Sequence, residues 1–228
     1  MRPRQKRDYK PIAVVTRNAF DQTHAAKFGG SEYFTYTTRR KMPIMIYLAG
    51  PDVFLPNAIE VGKKKMAICE EFGFEGLFPA DNDFGAKAGS AAIFRANCAK
   101  MKRADIGVFN LSPFRGPSAD PGTVFELGFL FSQNRPVYGY SNARKSYVTR
   151  VAAAAGPLQH RDGRPVDRDD RAVENFDLND NLMIVEAIRA SGGEIAFPPE
   201  GQDAFASTAL ETIPAFRACL EIVRRRFH

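Results

Sequence analysis

From residue 44 onward, the chain alternates short apolar runs with longer amphipathic segments, and this alternation limits the fold more than any other feature. A run such as MIYLAG, which is apolar throughout and ends at Gly-Pro, is typical of a buried parallel strand. Helices of 10–15 residues between such strands predict an α/β fold, which is a doubly wound, flavodoxin-like parallel five-stranded sheet with helices on both faces. The predicted strands are 45–50, 74–78, 105–111, 135–141 and 194–197, and the predicted helices are 57–72, 90–103, 121–134, 178–190 and 204–226. The polar stretch 156–175 is predicted to be a loop.

The net charge of +6 belongs to the first part of the chain. Residues 1–42 contain ten Lys and Arg against three acids, whereas the remainder contains 22 basic and 23 acidic residues. Because residues 1–42 also show no sustained helix or strand period, we expect a basic, flexible N-terminal extension there. Residues 43–228 then form a single α/β domain, and its nearly neutral charge argues against nucleic acid as a partner.

Composition and motifs exclude several other classes of protein. No apolar run approaches the roughly 18 residues of a membrane span, so no membrane partner is expected. Three Cys and three His are too few for a disulfide framework or a histidine-based metal centre, and no dinucleotide or P-loop motif is present. We therefore expect a cytoplasmic protein with no cofactor and no metal.

A ligand of such a sheet binds beyond the carboxyl ends of the strands, which directs attention to the loops 49–57, 79–89, 110–122 and 141–177. Glu126 lies near the start of the third predicted helix, and its apolar neighbours in FELGFLF make it a candidate nucleophile. The helix dipole at this position is expected to favour its ionised form, which suits a nucleophile. Its alternative role is that of an acid near a helix N-terminus that favours the helix dipole. Asp120 precedes Pro121 and is the predicted N-cap of this helix.

Further polar residues come from neighbouring segments. Tyr47 lies inside the first strand and is either a core tyrosine or the partner of a carboxylate. Asn97 lies on the apolar stripe of its helix and either satisfies a backbone group or points into the site. Arg115 is either a solvated charge or a contact for a polar ligand. Three more side chains follow the second strand and are either turn formers or ligand contacts, namely Asp81, Asn82 and Asp83.

Six segments, in this order along residues 44–184, resemble the nucleoside 2-deoxyribosyltransferase family, and this span is most of the predicted domain. They are IYLAGPDVF (46–54), FPADNDFG (78–85), ANCAKMKRADIGVFNL (96–111), FRGPSADPGTVFELGF (114–129), RPVYGY (135–140) and NDNLMI (179–184). The resemblance implies that Glu126 is the nucleophile, that Tyr47 orients it and that Asp120 contacts the sugar hydroxyls. The resemblance also implies that Asp83 contacts the nucleobase. Further substrate contacts are expected from Gly50, Pro51, Phe54, Asp81, Asn82, Asn97, Arg115 and Gly122.

The resemblance also implies that Asn181 and Met183 are supplied to the site of a neighbouring subunit, so a homo-oligomer, at least a dimer, is expected. One departure concerns Asn97, which stands where better-known members have an aspartate proposed as the proton donor. Because an amide is not a general acid, either Asp120, Asp83 or water protonates the leaving base.

The implied activity is the exchange of 2-deoxyribose between deoxynucleosides and free nucleobases, by a retaining double displacement through a covalent deoxyribosyl-glutamate. The first alternative is a deoxynucleoside or deoxynucleotide N-glycosidase, for which Arg115, Arg161, Arg164 and Arg168 are candidate phosphate contacts. The second alternative is a non-catalytic nucleotide-binding sensor on the same fold. A third is nucleic-acid binding through residues 1–42.

Overall fold

The computed structural model describes residues 20–27, 33–40, 42–79, 89–200 and 210–228. Its main element is a sheet of five parallel strands. In the order of the chain these strands are β3 (Ile44–Ala49), β4 (Phe74–Leu77), β5 (Ile106–Asn110), β6 (Val137–Tyr140) and β9 (Ile195–Ala196). Across the sheet their order is β4-β3-β5-β6-β9. This is the 2-1-3-4-5 order of flavodoxin-like folds, so the prediction of a doubly wound α/β sheet is confirmed.

The helices cover both faces of this sheet because successive side chains of each buried strand point to opposite sides. They are α1 (Ala58–Glu71), α2 (Ser90–Arg103), α3 (Pro121–Ser132), α4 (Tyr147–Ala155), α5 (Leu182–Ala190) and α6 (Ile213–Phe227), with a short 3-10 helix at Pro51–Phe54. Helices α1 and α6 pack on the face that carries Ile46 and Leu48. Helices α2, α3 and α5 pack on the opposite face, which carries Met45, Tyr47 and Ala49.

Two antiparallel pairs of strands lie outside the main sheet. Strands β1 (Phe20–Lys27) and β2 (Tyr33–Arg40) form one pair, in a part of the chain for which the sequence predicted no strand. The second of them reads YFTYTTRR, and its aromatic and β-branched residues favour strand structure. Whether residues 1–42 behave as a flexible extension stays a prediction.

The segment predicted to be a loop at 156–175 was assigned wrongly in part. It contains the second antiparallel pair, β7 (Gln159–Arg161) and β8 (Arg164–Val166), which are joined by a turn at Asp162 and Gly163. Both turn residues have a positive φ, as a tight hairpin turn requires. Strands of three residues are too short to produce a recognisable period of two in the sequence.

The remaining differences concern helix limits. Helix α4 was not predicted, and α5 begins at Leu182 rather than at 178 because Asn181 caps it. Helix α6 begins at Ile213, so the prediction that it begins at 204 was wrong. Among the described residues, no helix combines the length and the apolarity that a membrane span would need.

Candidate active site

The site lies where the chain reverses its direction across the sheet. From β3 the chain moves to β4 on one side and then to β5 on the other, so a crevice opens outside the carboxyl ends of β3 and β5. Gly50 follows β3 in this crevice. A Cβ atom at Gly50 would lie 2.4 Å from Cβ of Asn110, so only glycine allows the two strand ends to approach this closely.

The central contact of the site joins Tyr47 and Glu126. Tyr47 is fully buried in β3, on the sheet face that α3 covers, and Glu126 lies in the second turn of α3. The Tyr47 hydroxyl donates a hydrogen bond of 2.6 Å to Oε1 of Glu126. The structure thus brings together two residues 79 positions apart that the sequence analysis expected to lie side by side.

Burial dominates the electrostatics of Glu126. Burial is the largest influence and raises the pKa of this carboxyl from 4.5 to about 7. The hydrogen bonds from Tyr47 and, more weakly, from Asn97 lower the pKa, whereas the nearby charge of Asp120 raises it. The sequence analysis had expected the helix dipole to favour the ionised form, but the loss of solvent outweighs that influence. Burial, and then the charge of Glu126, raises the pKa of Tyr47, so its hydroxyl keeps the proton that it donates.

Asn97 approaches the same carboxylate from α2. Its Nδ2 atom lies 3.4 Å from Oε1 of Glu126, which settles one alternative from the sequence, because the amide points at the site and not at the backbone. Its Oδ1 atom is buried and has no hydrogen-bond partner among the described residues. A buried acceptor without a partner is costly, so this oxygen is suited to accept a hydrogen bond from a ligand.

Asp120 caps α3 as predicted. Its Oδ2 atom accepts hydrogen bonds from the amide of Thr123 at 2.9 Å and from the Thr123 hydroxyl at 3.1 Å. No described residue is seen to bond its other carboxylate oxygen, which is therefore suited to accept a hydrogen bond from a ligand. A Cβ atom at Gly122 would lie 3.0 Å from Oδ2, so glycine keeps this cap uncrowded.

Aromatic side chains form one rim of the crevice. Phe54 and Phe114 stack with ring centroids 5.1 Å apart, and the Arg115 guanidinium lies over both rings at 5.3 and 4.8 Å. Phe54 is 54% exposed, and Pro51 before it is buried in the 3-10 helix. The two rings contact the flat face of the Arg115 guanidinium. The N–H groups at the edge of the guanidinium can therefore donate hydrogen bonds to a polar ligand.

Two other predicted site residues, Asn181 and Met183, lie at the N-terminus of α5. Asn181 caps α5, accepting a hydrogen bond from the amide of Met183 at 3.0 Å and donating one to Glu174 at 2.7 Å. The Met183 side chain is 72% exposed. Three more predicted residues lie outside the described residues, namely Asp81, Asn82 and Asp83.

Sequence reasoning missed two buried polar networks beside the site. In the first, Lys65 binds Asp52 at 2.7 Å and the Tyr140 hydroxyl at 2.9 Å, and Asn110 donates to the same carboxylate. Lys65 interrupts the buried stripe of α1, which was the signal available in the sequence. The second network centres on Asp180 and gave no such signal. In the part of the chain that the structure describes, no cluster of three or more His, Cys, Asp and Glu residues is placed to hold a metal.

The fold and the position of the Tyr47–Glu126 pair define a doubly wound α/β protein that binds a small ligand outside the carboxyl ends of its strands. Comparison with known proteins narrows this class. The sequence model of the nucleoside 2-deoxyribosyltransferase family matches residues 46–183. The chain belongs to this family.

Individual known proteins are similar to this chain. An uncharacterized protein of Schizosaccharomyces pombe is 34% identical over 187 residues, which are 75% of this chain and 88% of that protein. The structure of a 2-deoxyribosyltransferase from Leishmania mexicana is 28% identical, with a TM-score of 0.53, over 78% of this chain and 98% of that one. A 2-deoxyribosyltransferase from Bacillus psychrosaccharolyticus is 18% identical, with a TM-score of 0.40, over 73% of this chain and 95% of that one.

Proposed function

We propose that this protein transfers 2-deoxyribose between nucleobases and that Glu126 is the nucleophile. The observation that carries the proposal is the partly buried hydrogen bond between Tyr47 and Glu126 at the switch point of the sheet. A carboxylate held by one short hydrogen bond and partly shielded from water has a defined direction of attack, as a retaining glycosyl transfer requires. Membership of the family supports deoxynucleosides and free bases as the substrates.

The reaction takes place in two displacements. The ionised Glu126 attacks C1′ of the deoxyribose, the glycosidic C–N bond breaks, and its electron pair leaves with the base, which takes up a proton. Asp120 is the candidate donor of that proton among the described residues, and water is the alternative. A nitrogen of the second base then attacks C1′ and loses its proton to the group that protonated the first base, which releases the carboxylate and restores the original anomeric configuration.

The surroundings of Glu126 favour transfer over hydrolysis. Water that reached the covalent intermediate would release free deoxyribose, so the site must be dry. The burial that raises the pKa of Glu126 to about 7 reduces the contact of this carboxyl with water. Phe129, one helical turn from Glu126 on α3, contributes apolar surface and packs against Phe125 with the two ring centroids 6.3 Å apart.

Incubation with deoxyinosine and adenine tests the proposal, because transfer produces deoxyadenosine and hypoxanthine. Glu126→Gln should abolish the product, whereas Glu221→Gln, an exposed acid on α6, should leave the rate unchanged. Mass spectrometry of the wild-type protein with deoxyinosine alone should detect a deoxyribosyl adduct on Glu126. Release of deoxyribose without new nucleoside would favour the N-glycosidase, and ligand binding with no turnover would favour the sensor.

We further propose that Asn181 and Met183 complete the site of a second copy of the chain. Both residues lie at the N-terminus of α5, and the Met183 side chain is largely exposed. Two inactive variants, Glu126→Gln and Asn181→Ala, should then regain activity when they are unfolded, mixed and refolded together. A mixture that stays inactive, although each variant alone assembles like the wild-type protein, would contradict this arrangement.

A further inference from the structure

A single buried carboxylate connects the loop before Asp120 to the segment before α5. Asp180 is 2% exposed and accepts four hydrogen bonds. They come from the Ser118 hydroxyl, the Ala119 amide at 3.1 Å, the Asn181 amide at 2.8 Å and Arg150 at 3.2 Å. Every donor except Arg150 belongs to one of the two segments that carry predicted site residues, which are Asp120 in the first and Asn181 and Met183 in the second.

Arg150 extends the same network from α4. Its guanidinium donates to the carbonyl of Pro117 at 2.7 Å and to the carbonyl of Lys145 at 2.9 Å, as well as to Asp180. The two side chains therefore hold Pro117 by its carbonyl, Ser118 by its hydroxyl and Ala119 by its amide. Three consecutive residues of an irregular loop are anchored in this way.

The anchored residues end immediately before Asp120, so a shift of the Ala119 backbone would move the Asp120 carboxylate directly. Stability alone explains such a pair poorly, because the desolvation of two buried charges offsets much of their attraction and an apolar pair would pack at least as well. An ion pair with several hydrogen bonds fixes the position and orientation of the groups that it joins, because each bond requires a defined distance and angle.

We propose that Asp180 and Arg150 are positioning residues that place Asp120 to bind a sugar hydroxyl of the donor and thereby select donors that carry it. The proposal rests on the proposed function, because it assigns a role in the binding of deoxyribose. Neither residue touches the reacting atoms. Both act through residues 117–119.

The test compares donors that differ by one hydroxyl. With adenine as acceptor, kcat/KM is measured for deoxyinosine, for its analogue without the 3′-hydroxyl and for its analogue without the 5′-hydroxyl. Asp180→Asn removes the charge that Arg150 and the loop donors share, so we expect the preference for at least one hydroxyl to fall by about tenfold. A general loss of folded protein would lower all three values together and leave their ratios unchanged.

A matched control and a milder variant complete the experiment. Asp105→Asn alters a carboxylate of similar burial, which accepts the Met45 amide at 2.9 Å at the opposite edge of the sheet, and it should leave the ratios unchanged. Ser118→Ala removes one donor and keeps the ion pair, so it should lower the same ratio by less and serves if Asp180→Asn does not fold.

The outcomes separate the two proposals. Wild-type protein that turns over no deoxynucleoside would contradict the proposed function. Active wild-type protein whose hydroxyl preferences survive both Asp180→Asn and Ser118→Ala would contradict only the positioning role.

Discussion

The Glu126→Gln variant should be more stable than the wild-type protein, and the gain should depend on pH. In the folded protein, burial raises the pKa of Glu126 to about 7, whereas the unfolded chain restores the usual value of 4.5. At about 1.4 kcal/mol for each pH unit, ionising this carboxyl in the folded state costs about 3 kcal/mol more than in the unfolded state. Gln fills the same volume and still accepts the hydrogen bond from Tyr47, but it never ionises.

The sign follows from where the proton is bound. Between pH 4.5 and 7, the folded state holds a proton on Glu126 that the unfolded state has lost. The contribution of this group to stability is therefore fully present below pH 4.5 and is lost as the pH rises through 7. We expect the free energy of unfolding of Glu126→Gln to exceed that of the wild-type protein by about 3 kcal/mol at pH 8 and by about 1 kcal/mol at pH 5.

Urea unfolding of both proteins at these two pH values measures the difference. Glu221→Gln, which alters an exposed acid on α6, is the control and should change little at either pH. The same Glu126→Gln preparation should show no transfer activity, so that one substitution gains stability and loses function. An equal stability difference at pH 5 and pH 8 would refute the argument that burial raises the pKa of Glu126.

Other predictions concern the partners of this carboxylate. Tyr47→Phe removes a hydrogen bond that favours the ionised form of Glu126. In the wild-type protein, the acidic limb of the pH profile of kcat/KM should be centred near pH 7. In the variant this limb should move upward by about one pH unit, and activity should recover at high pH. Asn97→Ala removes a buried acceptor without a described partner, so a thermal melt should show a small change while KM for the deoxynucleoside rises about tenfold. Asp120→Asn keeps a good N-cap, so its free energy of unfolding should equal that of the wild-type protein while its rate of deoxyribose transfer falls. Asp120→Ala should transfer as poorly and should also lose about 1 kcal/mol of stability in urea titrations.

The parts of the site that could be predicted lie in elements with strong local signals. Buried strands and a capped helix place Tyr47 and Glu126 on one face of a doubly wound sheet, and the alternation of side chains along β3 is sufficient to show that Tyr47 faces α3. The N-cap at Asp120 could also be predicted from local sequence, because Asp is favoured at the N-cap and Pro at the first position of a helix.

The parts that could not be predicted depend on contacts between distant segments. The Arg150–Asp180 pair joins a helix that the sequence did not reveal to a residue 30 positions later, and no periodicity connects the two. The rise in the pKa of Glu126 likewise depends on how closely α2, α3 and β3 pack, whereas the sequence shows only the dipole of one helix. The dipole was therefore given too much weight.

The raised pKa and the proposed preference for transfer have one physical origin, and this links two quantities that are usually measured separately. Excluding water from Glu126 destabilises its charge and also protects a deoxyribosyl intermediate from hydrolysis. A substitution that admits water, such as Phe129→Ser one helical turn from Glu126 on α3, should therefore lower the pKa of Glu126 and raise the fraction of intermediate lost to hydrolysis. Across a series of such variants, the pH midpoint of kcat/KM and the ratio of hydrolysis to transfer should change in opposite directions. A variant that hydrolyses freely while its midpoint stays near 7 would show that water reaches C1′ by a route that leaves the carboxylate dry.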